Sequence, residues 1–191
     1  MKKKVLISTG GSGGHVIPAT ILYDHLSETN EVIISTDKRG FRFLESANYE
    51  IKIIDTPRLN NIFFLPLNFI IILFLIIESF FLLKKRKIDC LISTGGYMSL
   101  PLILASKFIG IKIFLLEPNL VLGRANKIFL NSCEKIFCYD DELKNFPNNL
   151  KHKIVKINPL IRKQFYKIKK NSNNNEGFRI LIVGGSQGAE V

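Results

Sequence analysis

Short apolar runs recur along the chain, and each ends at turn residues before the next run or a stretch of helical spacing begins. The first run, 5–8, leads into the glycine-rich segment TGGSGGH at 9–15, and helical spacing follows at 17–27. A strand, a glycine turn, a helix and a new strand open a parallel α/β sheet. This pattern predicts an α/β fold with a Rossmann-like, doubly wound parallel sheet. The predicted strands are 5–8, 31–35, 51–54, 90–93, 112–116, 136–139 and 154–157.

The chain is predicted to contain one N-terminal domain and the start of another. Residues 1–163 hold the predicted sheet, and 164–178 are a predicted linker because most of this segment is polar, rich in asparagine and without periodicity. A fresh apolar strand at 179–183 then runs into another glycine turn. Because one strand without a helix to cover it cannot form a domain, 179–191 are expected to be the first part of a truncated second domain.

The charge of the chain indicates a negatively charged partner. It has 27 Lys and Arg against 16 Asp and Glu, which gives a net charge of +11. Nucleic acid, an anionic membrane surface and a phosphorylated substrate all fit such a charge. The basic residues are spread out, with one compact cluster at 84–87, and they lack the alternation with aromatic residues typical of single-strand binding. Nucleic acid is therefore not an expected partner.

The cysteines predict neither a metal site nor a disulfide framework. Cys90, Cys133 and Cys138 lack metal-binding spacing and cannot all pair with one another. Free cysteines are usually small buried hydrophobes, so all three are predicted to be packing residues. The apolar part of the N-terminus is too short for a secretory signal. These features together predict a reducing, cytoplasmic setting.

The segment 62–83, IFFLPLNFIIILFLIIESFFLL, is strongly apolar. Its uninterrupted part, 69–77, is shorter than the roughly 20 residues that a spanning helix needs. Apolar residues occupy nearly every face, which is more than a one-sided crossover helix requires, and the basic cluster follows directly. This pattern predicts contact with an anionic membrane surface, ahead of a buried crossover helix and of a true transmembrane span.

Three glycine-rich turns follow predicted strands, at 9–15, 94–101 and 183–189. Glycine lets the backbone approach a ligand closely, and the start of the next helix offers unpaired N–H groups to an anion. The turns match neither a P-loop nor the dinucleotide-binding G-x-G-x-x-G pattern. Open α/β sheets bind their ligands at the carboxyl ends of strands, where all three turns fall. The sequence therefore predicts a phosphate-binding crevice.

Polar residues stand at the same predicted edge of the sheet. His15 should lie in the first turn of a helix, where a neutral imidazole can act as a general base or as a hydrogen-bond partner. A lone histidine is more often structural, so that role also stays open. Glu117 and Asn119 follow the fifth strand and can equally be turn residues around Pro118.

Five ordered motifs resemble the MurG family of bacterial glycosyltransferases. They are GGSGGHVIP at 10–18, STGGYMSLPLILASKFIGIK at 93–112, LEPN with GRANK at 116–127, INPLIRKQF at 157–165 and ILIVGGSQGA at 180–189. The similarity covers essentially the whole chain and implies the N-terminal, acceptor-binding part of a GT-B glycosyltransferase. That family transfers N-acetylglucosamine from UDP-N-acetylglucosamine (UDP-GlcNAc) to undecaprenyl-diphosphate-linked muramoyl-pentapeptide, which converts lipid I to lipid II in peptidoglycan synthesis.

The resemblance implies roles for individual residues and an inverting transfer without a cofactor or a protein-bound metal. His15 would be the catalytic base or a positioning group beside the acceptor hydroxyl. The first loop would contact the donor and the lipid diphosphate through Gly11, Ser12 and Gly13. The second loop would help to hold the acceptor diphosphate through Gly95, Gly96 and Tyr97. The further binding residues are Glu117, Asn119, Arg162 and Ser186. Of these, Asn119 would contact the donor sugar and Ser186 the donor phosphate.

The chain departs from the family pattern at two motifs. Residues 116–119 read Leu-Glu-Pro-Asn where the family usually has His-Glu-Gln-Asn, and Ile157 replaces the glycine of Gly-Asn-Pro. The first change puts the shape of the donor-side loop in question. The second weakens the alignment on which the role of Arg162 depends.

The resemblance also implies a location and partners. The enzyme would be peripheral on the cytoplasmic side of the cell inner membrane, with UDP-GlcNAc, lipid I and anionic lipid as partners. A fragment that lacks most of the donor domain would be inactive alone. The alternative is a non-catalytic, membrane-associated acceptor-binding subunit of a split lipid-linked GlcNAc transferase.

Overall fold

The computed structural model describes residues 2–45, 48–57 and 62–167, whose seven strands form one parallel sheet. Each end of every strand lies within one residue of its predicted position, so the seven predicted strands are confirmed. The further strand predicted at 179–183 lies outside the described residues. The strands are β1 (Lys4–Ser8), β2 (Glu31–Thr36), β3 (Ile51–Ile53), β4 (Cys90–Ser93), β5 (Lys112–Glu117), β6 (Lys135–Cys138) and β7 (Ile154–Lys156).

The α-helices of the described residues are α1 (Gly13–Leu26), α2 (Lys38–Phe41), α3 (Leu65–Arg86), α4 (Leu100–Ile109) and α5 (Arg124–Phe129). The first helix starts earlier than its apolar spacing indicates, which puts His15 in the first turn, as predicted. The last turn of α4 is closed by Gly110, whose φ of 82° is left-handed. Apolar periodicity does not predict α2 and α5, since four and six residues are too few to show it.

The strand order is β3-β2-β1-β4-β5-β6-β7, so the chain builds the sheet outward in both directions from the β1–β4 pair. All neighbouring strands are parallel, and Ser8 at the end of β1 lies opposite Ser93 at the end of β4. This reversal confirms the doubly wound, Rossmann-like fold. Such sheets bind ligands in the crevice outside the carboxyl ends of the strands at the reversal. The loops after β1, β4 and β5 meet at that edge.

The core packs against the central strands. Cys133 and Cys138 are buried free thiols, and Cys90 is a partly buried one, so the predicted packing role of the cysteines is confirmed. Burial, with the nearby charge of Glu117, raises the pKa of the Cys138 thiol to about 12. Among the fully buried side chains of the central strands and α4 are Leu6, Ile7, Leu91, Leu102, Ile103 and Leu115.

The long helix α3 packs on the protein along a narrow line of side chains. The buried residues of this helix are Asn68, Ile72, Ser79 and Leu83. Its other faces expose large apolar side chains, and Phe69 and Phe74 are 63% and 68% exposed. By length and composition α3 could cross a membrane, and among the described residues it is the one helix that meets this test. A helix with so much exposed apolar surface is not the buried crossover helix that the sequence left as an alternative.

Candidate functional site

The loop after β1 carries the chain into α1 and leaves N–H groups for a ligand. The φ of Gly11 is 78°, a left-handed value that favours glycine. The Gly11 N–H is already donated to Asp37 Oδ1 at 2.9 Å, and the Ser12 N–H bonds within the loop. The first N–H groups of a helix have no acceptor inside it. In α1 this leaves the N–H groups of Gly13 and Gly14 to bind an anion.

The loop after β4 lies directly beside the first loop. Gly95 and Gly96 have left-handed φ values of 100° and 87°. The N–H of Thr94 donates to the carbonyl oxygen of Ser8 at 3.0 Å, and the hydroxyl of Thr94 lies 2.8 Å from that of Thr9. The two glycine loops, which the sequence predicts at one crevice, are thus hydrogen-bonded to each other.

His15 is fixed against the second loop. Its Nδ1 lies 2.8 Å from the carbonyl oxygen of Thr94. Because a carbonyl oxygen only accepts, Nδ1 carries the proton in this hydrogen bond. In a neutral imidazole Nε2 then keeps its lone pair and can accept a proton. The half-buried ring lines a cleft, so its geometry is that of an oriented general base.

Glu117 is buried at the end of β5 and organises the loop that follows. Its Oε1 accepts from the Asn119 N–H at 3.2 Å and from the Asn119 side-chain amide at 2.9 Å. Its Oε2 accepts from the Gly123 N–H at 2.8 Å and from the Asn126 amide at 3.0 Å. All four donors belong to the chain after β5, so the carboxylate shapes this loop. Glu117 thereby positions two asparagines, and all three residues line a cleft.

A cleft of about 500 Å³ opens between the second loop and the loop after β5. Asn126, a residue to which the sequence motifs assign no role, is 3% exposed in its wall. The Oδ1 of Asn126 is a buried acceptor without a partner among the described residues, and a ligand donor would satisfy it. The predicted site residues that the structure brings together around this cleft are His15, Gly95, Gly96, Tyr97, Glu117 and Asn119.

Arg162 lies away from this cleft, beside the opposite end of α1. The carbonyl oxygen of its neighbour Ile161 is 3.2 Å from Nε2 of His25. Ten residues separate His15 from His25, which at 1.5 Å per residue is about 15 Å along the helix. The binding role of Arg162 therefore stays a prediction without support from the described residues. Ser186 lies outside those residues.

Gly95 packs so closely on His15 that no larger residue fits at position 95. A Cβ at Gly95 would lie 2.9 Å from Cε1 and 3.0 Å from Nδ1 of the imidazole. We expect Gly95→Ala to lower the free energy of unfolding by more than about 2 kcal/mol, because overpacking adds to left-handed backbone strain. Denaturant unfolding measures the change.

Gly110→Ala is the matched control for this substitution. Its φ of 82° brings similar backbone strain, but a Cβ there would meet nothing within 4 Å. We expect it to cost only about 1 kcal/mol. Equal losses in the two variants would contradict the close packing of Gly95 on His15.

Comparison with known proteins agrees with this geometry. Residues 5–138 match the model of the glycosyltransferase family 28 N-terminal domain. The chain is 51% identical over its whole length to the "UDP-N-acetylglucosamine--N-acetylmuramyl-(pentapeptide) pyrophosphoryl-undecaprenol N-acetylglucosamine transferase" of Pelagibacter ubique, of which it covers 54%. The enzyme of the same name from Rickettsia canadensis is 32% identical over 99% of this chain, which covers 54% of that enzyme. The chain thus spans about half the length of the curated relatives it matches.

Solved structures show the same architecture. MurG of Acinetobacter baumannii superposes with a TM-score of 0.74 and 25% identity over 97% of this chain and 53% of that one. A UDP-GlcNAc 2-epimerase from Neisseria meningitidis shares the fold at a TM-score of 0.57 and 18% identity, over 80% of this chain and 45% of that one. The family match, the parallel sheet and the paired glycine loops lead to one assignment: the chain belongs to glycosyltransferase family 28, as its N-terminal domain.

Proposed function

We propose that this chain is the acceptor-binding part of an enzyme that transfers GlcNAc from UDP-GlcNAc to undecaprenyl-diphosphate-linked muramoyl-pentapeptide, the step from lipid I to lipid II. One observation carries the proposal. The imidazole of His15 is held by the second glycine loop, beside the start of α1, where the N–H groups of Gly13 and Gly14 can bind an anion. The activity for which the relatives are named supports the choice of donor and acceptor.

The geometry suits an inverting transfer. Nε2 of His15 takes the proton from the muramoyl 4-hydroxyl, the oxygen attacks the anomeric carbon of the donor sugar, and UDP leaves. The hydrogen bond from Nδ1 to the Thr94 carbonyl orients the ring and also stabilises the imidazolium that forms. Negative charge that develops on the departing diphosphate is stabilised by loop N–H groups and helix N-termini.

The proposal includes a place on the cytoplasmic surface of the cell inner membrane. The exposed apolar faces of α3 end in the basic residues Lys84, Lys85 and Arg86. An apolar groove of about 740 Å³ between α3 and α4, with Phe69 and Phe108 in its walls, extends this surface. An apolar helix face beside basic residues suits a surface of anionic lipid. An acceptor whose lipid tail stays in the bilayer requires an enzyme that works there.

Transfer by the full-length gene product tests the proposal. Radiolabelled UDP-GlcNAc and a short-chain lipid I analogue should give the disaccharide product, whereas an analogue without the pyrophosphate should not react. No transfer, with binding of the lipid I analogue retained, would favour the non-catalytic acceptor-binding subunit. Absence of both would contradict both functions.

A further inference from the structure

An ion pair between Asp37 and Arg39 connects the two glycine loops. Asp37 follows β2 and is fully buried, and its Oδ2 lies 2.8 Å from Nε and 2.7 Å from Nη2 of Arg39. The Nη2 of Arg39 also donates to the hydroxyl of Tyr97 at 2.8 Å. Tyr97 belongs to the second glycine loop, so the guanidinium connects α2 with that loop.

The same carboxylate holds the first loop. Asp37 Oδ1 accepts from the N–H of Gly11 at 2.9 Å and from the N–H of Gly40 at 2.9 Å. One buried side chain therefore caps α2 and fixes Gly11, while its other oxygen holds the arginine that reaches Tyr97. A series of hydrogen bonds from Gly11 through Asp37 and Arg39 to Tyr97 therefore connects the two loops.

Close packing at Gly40 supports this link independently. A Cβ on Gly40 would lie 2.8 Å from the Cα of Gly10 and closer still to the hydroxyl of Thr36. Contacts of that length exclude every residue except glycine, because backbone atoms of the loop cannot move aside cheaply. The first turn of α2 is thus pressed against the backbone of the first glycine loop.

The charge of Asp37 would oppose the binding of an anion if it stood alone. Burial raises the pKa of this carboxyl, but the hydrogen bonds from Gly11, Gly40 and Arg39, with the charge of Arg39, outweigh burial and leave the pKa lowered. The group is therefore ionised at neutral pH, one hydrogen bond away from a loop suited to phosphates. The guanidinium of Arg39 compensates that charge.

We propose that Arg39 is a positioning residue for the acceptor diphosphate. Arg39 holds the second glycine loop in place through Tyr97, and it neutralises the charge of Asp37 beside the first loop. The inference rests on the proposed function for its substrate. Arg39 acts through the loops and through the field at the crevice, without a role in the chemical step. It should therefore govern acceptor affinity more than turnover.

Arg39→Gln in the full-length gene product is the test. We expect the KM for the lipid I analogue to rise about tenfold, with kcat and the KM for UDP-GlcNAc changed by less than about twofold. Arg39→Lys should recover part of the affinity, since the charge returns but the fork that binds Asp37 and Tyr97 together does not. A merely structural role would lower kcat through loss of active enzyme and leave KM unchanged.

Arg42→Gln is the matched control. Arg42 is exposed at the end of the same helix, and its substitution removes the same charge. It should keep the wild-type acceptor KM. An Arg39→Gln variant with wild-type acceptor KM, or with only kcat reduced, would overturn the inference and leave the proposed function standing.

Inorganic pyrophosphate separates this inference from the proposed function. Titration calorimetry should show pyrophosphate binding to the wild-type protein and about tenfold weaker binding to Arg39→Gln. That result would support the inference even if the wild type transferred no sugar. Failure of the wild type to bind pyrophosphate, or equal binding by the two proteins, would overturn it.

Discussion

Replacing His15 with alanine is expected to lower kcat for GlcNAc transfer by about a hundredfold to ten-thousandfold, the contribution of a positioned general base. The Nδ1 proton is held by the Thr94 carbonyl, so Nε2 is the atom that accepts the proton of the attacking hydroxyl. Steady-state transfer with both substrates saturating measures the effect. His25→Ala, at the far end of the same helix, is the control and should keep the wild-type kcat.

His15→Asn separates a base from a structural histidine. The asparagine amide can donate to the Thr94 carbonyl much as Nδ1 does, but it has no group that takes up a proton at neutral pH. A catalytic base therefore predicts that this variant is as slow as His15→Ala. Wild-type turnover in His15→Asn would contradict the catalytic role and leave His15 as a residue that only ties the first helix to the second loop.

The strands of this fold are predictable from sequence because both faces of a parallel sheet are buried. Runs such as 90–93 and 112–116 are short, apolar and bounded by turn residues, so local composition alone fixes their ends. The helix α2 lacks such a signal, since it has four residues and is held by Asp37 as its cap. The start of α1 at Gly13 is also concealed, because glycines precede the first apolar positions of the helix.

The site was predictable only as far as each loop carries its own signal. The glycines mark the two loops, and the topology rule brings them to one edge. Arg39 joins two segments that are far apart in sequence, and the buried carboxylate of Glu117 is turned toward its own loop. No local sequence pattern indicates either set of contacts. The carboxylate of Glu117 supports its own loop and also lines the cleft, so its binding role stays a prediction. Asn126, within the GRANK motif, lines the same cleft.

The double variant Phe69→Asp, Phe74→Asp replaces two exposed phenylalanines of α3. We expect it to bind anionic vesicles at least about tenfold more weakly than the wild type. Each phenylalanine side chain contributes about 2 kcal/mol when it leaves water for an apolar phase. Both rings are largely exposed, so their replacement should not disturb the core. Flotation of the full-length gene product with vesicles of phosphatidylglycerol and phosphatidylethanolamine measures the bound fraction.

The control for this surface is Phe165→Asp, which changes another exposed phenylalanine in the short 3-10 helix Lys163–Lys167, away from α3. It should float as the wild type does. Because each basic residue near the surface adds about 1 kcal/mol, neutral phosphatidylcholine vesicles or higher salt should also weaken wild-type binding. Undiminished flotation of the double aspartate variant would contradict the membrane role of α3, and its apolar faces would then need a protein partner to cover them.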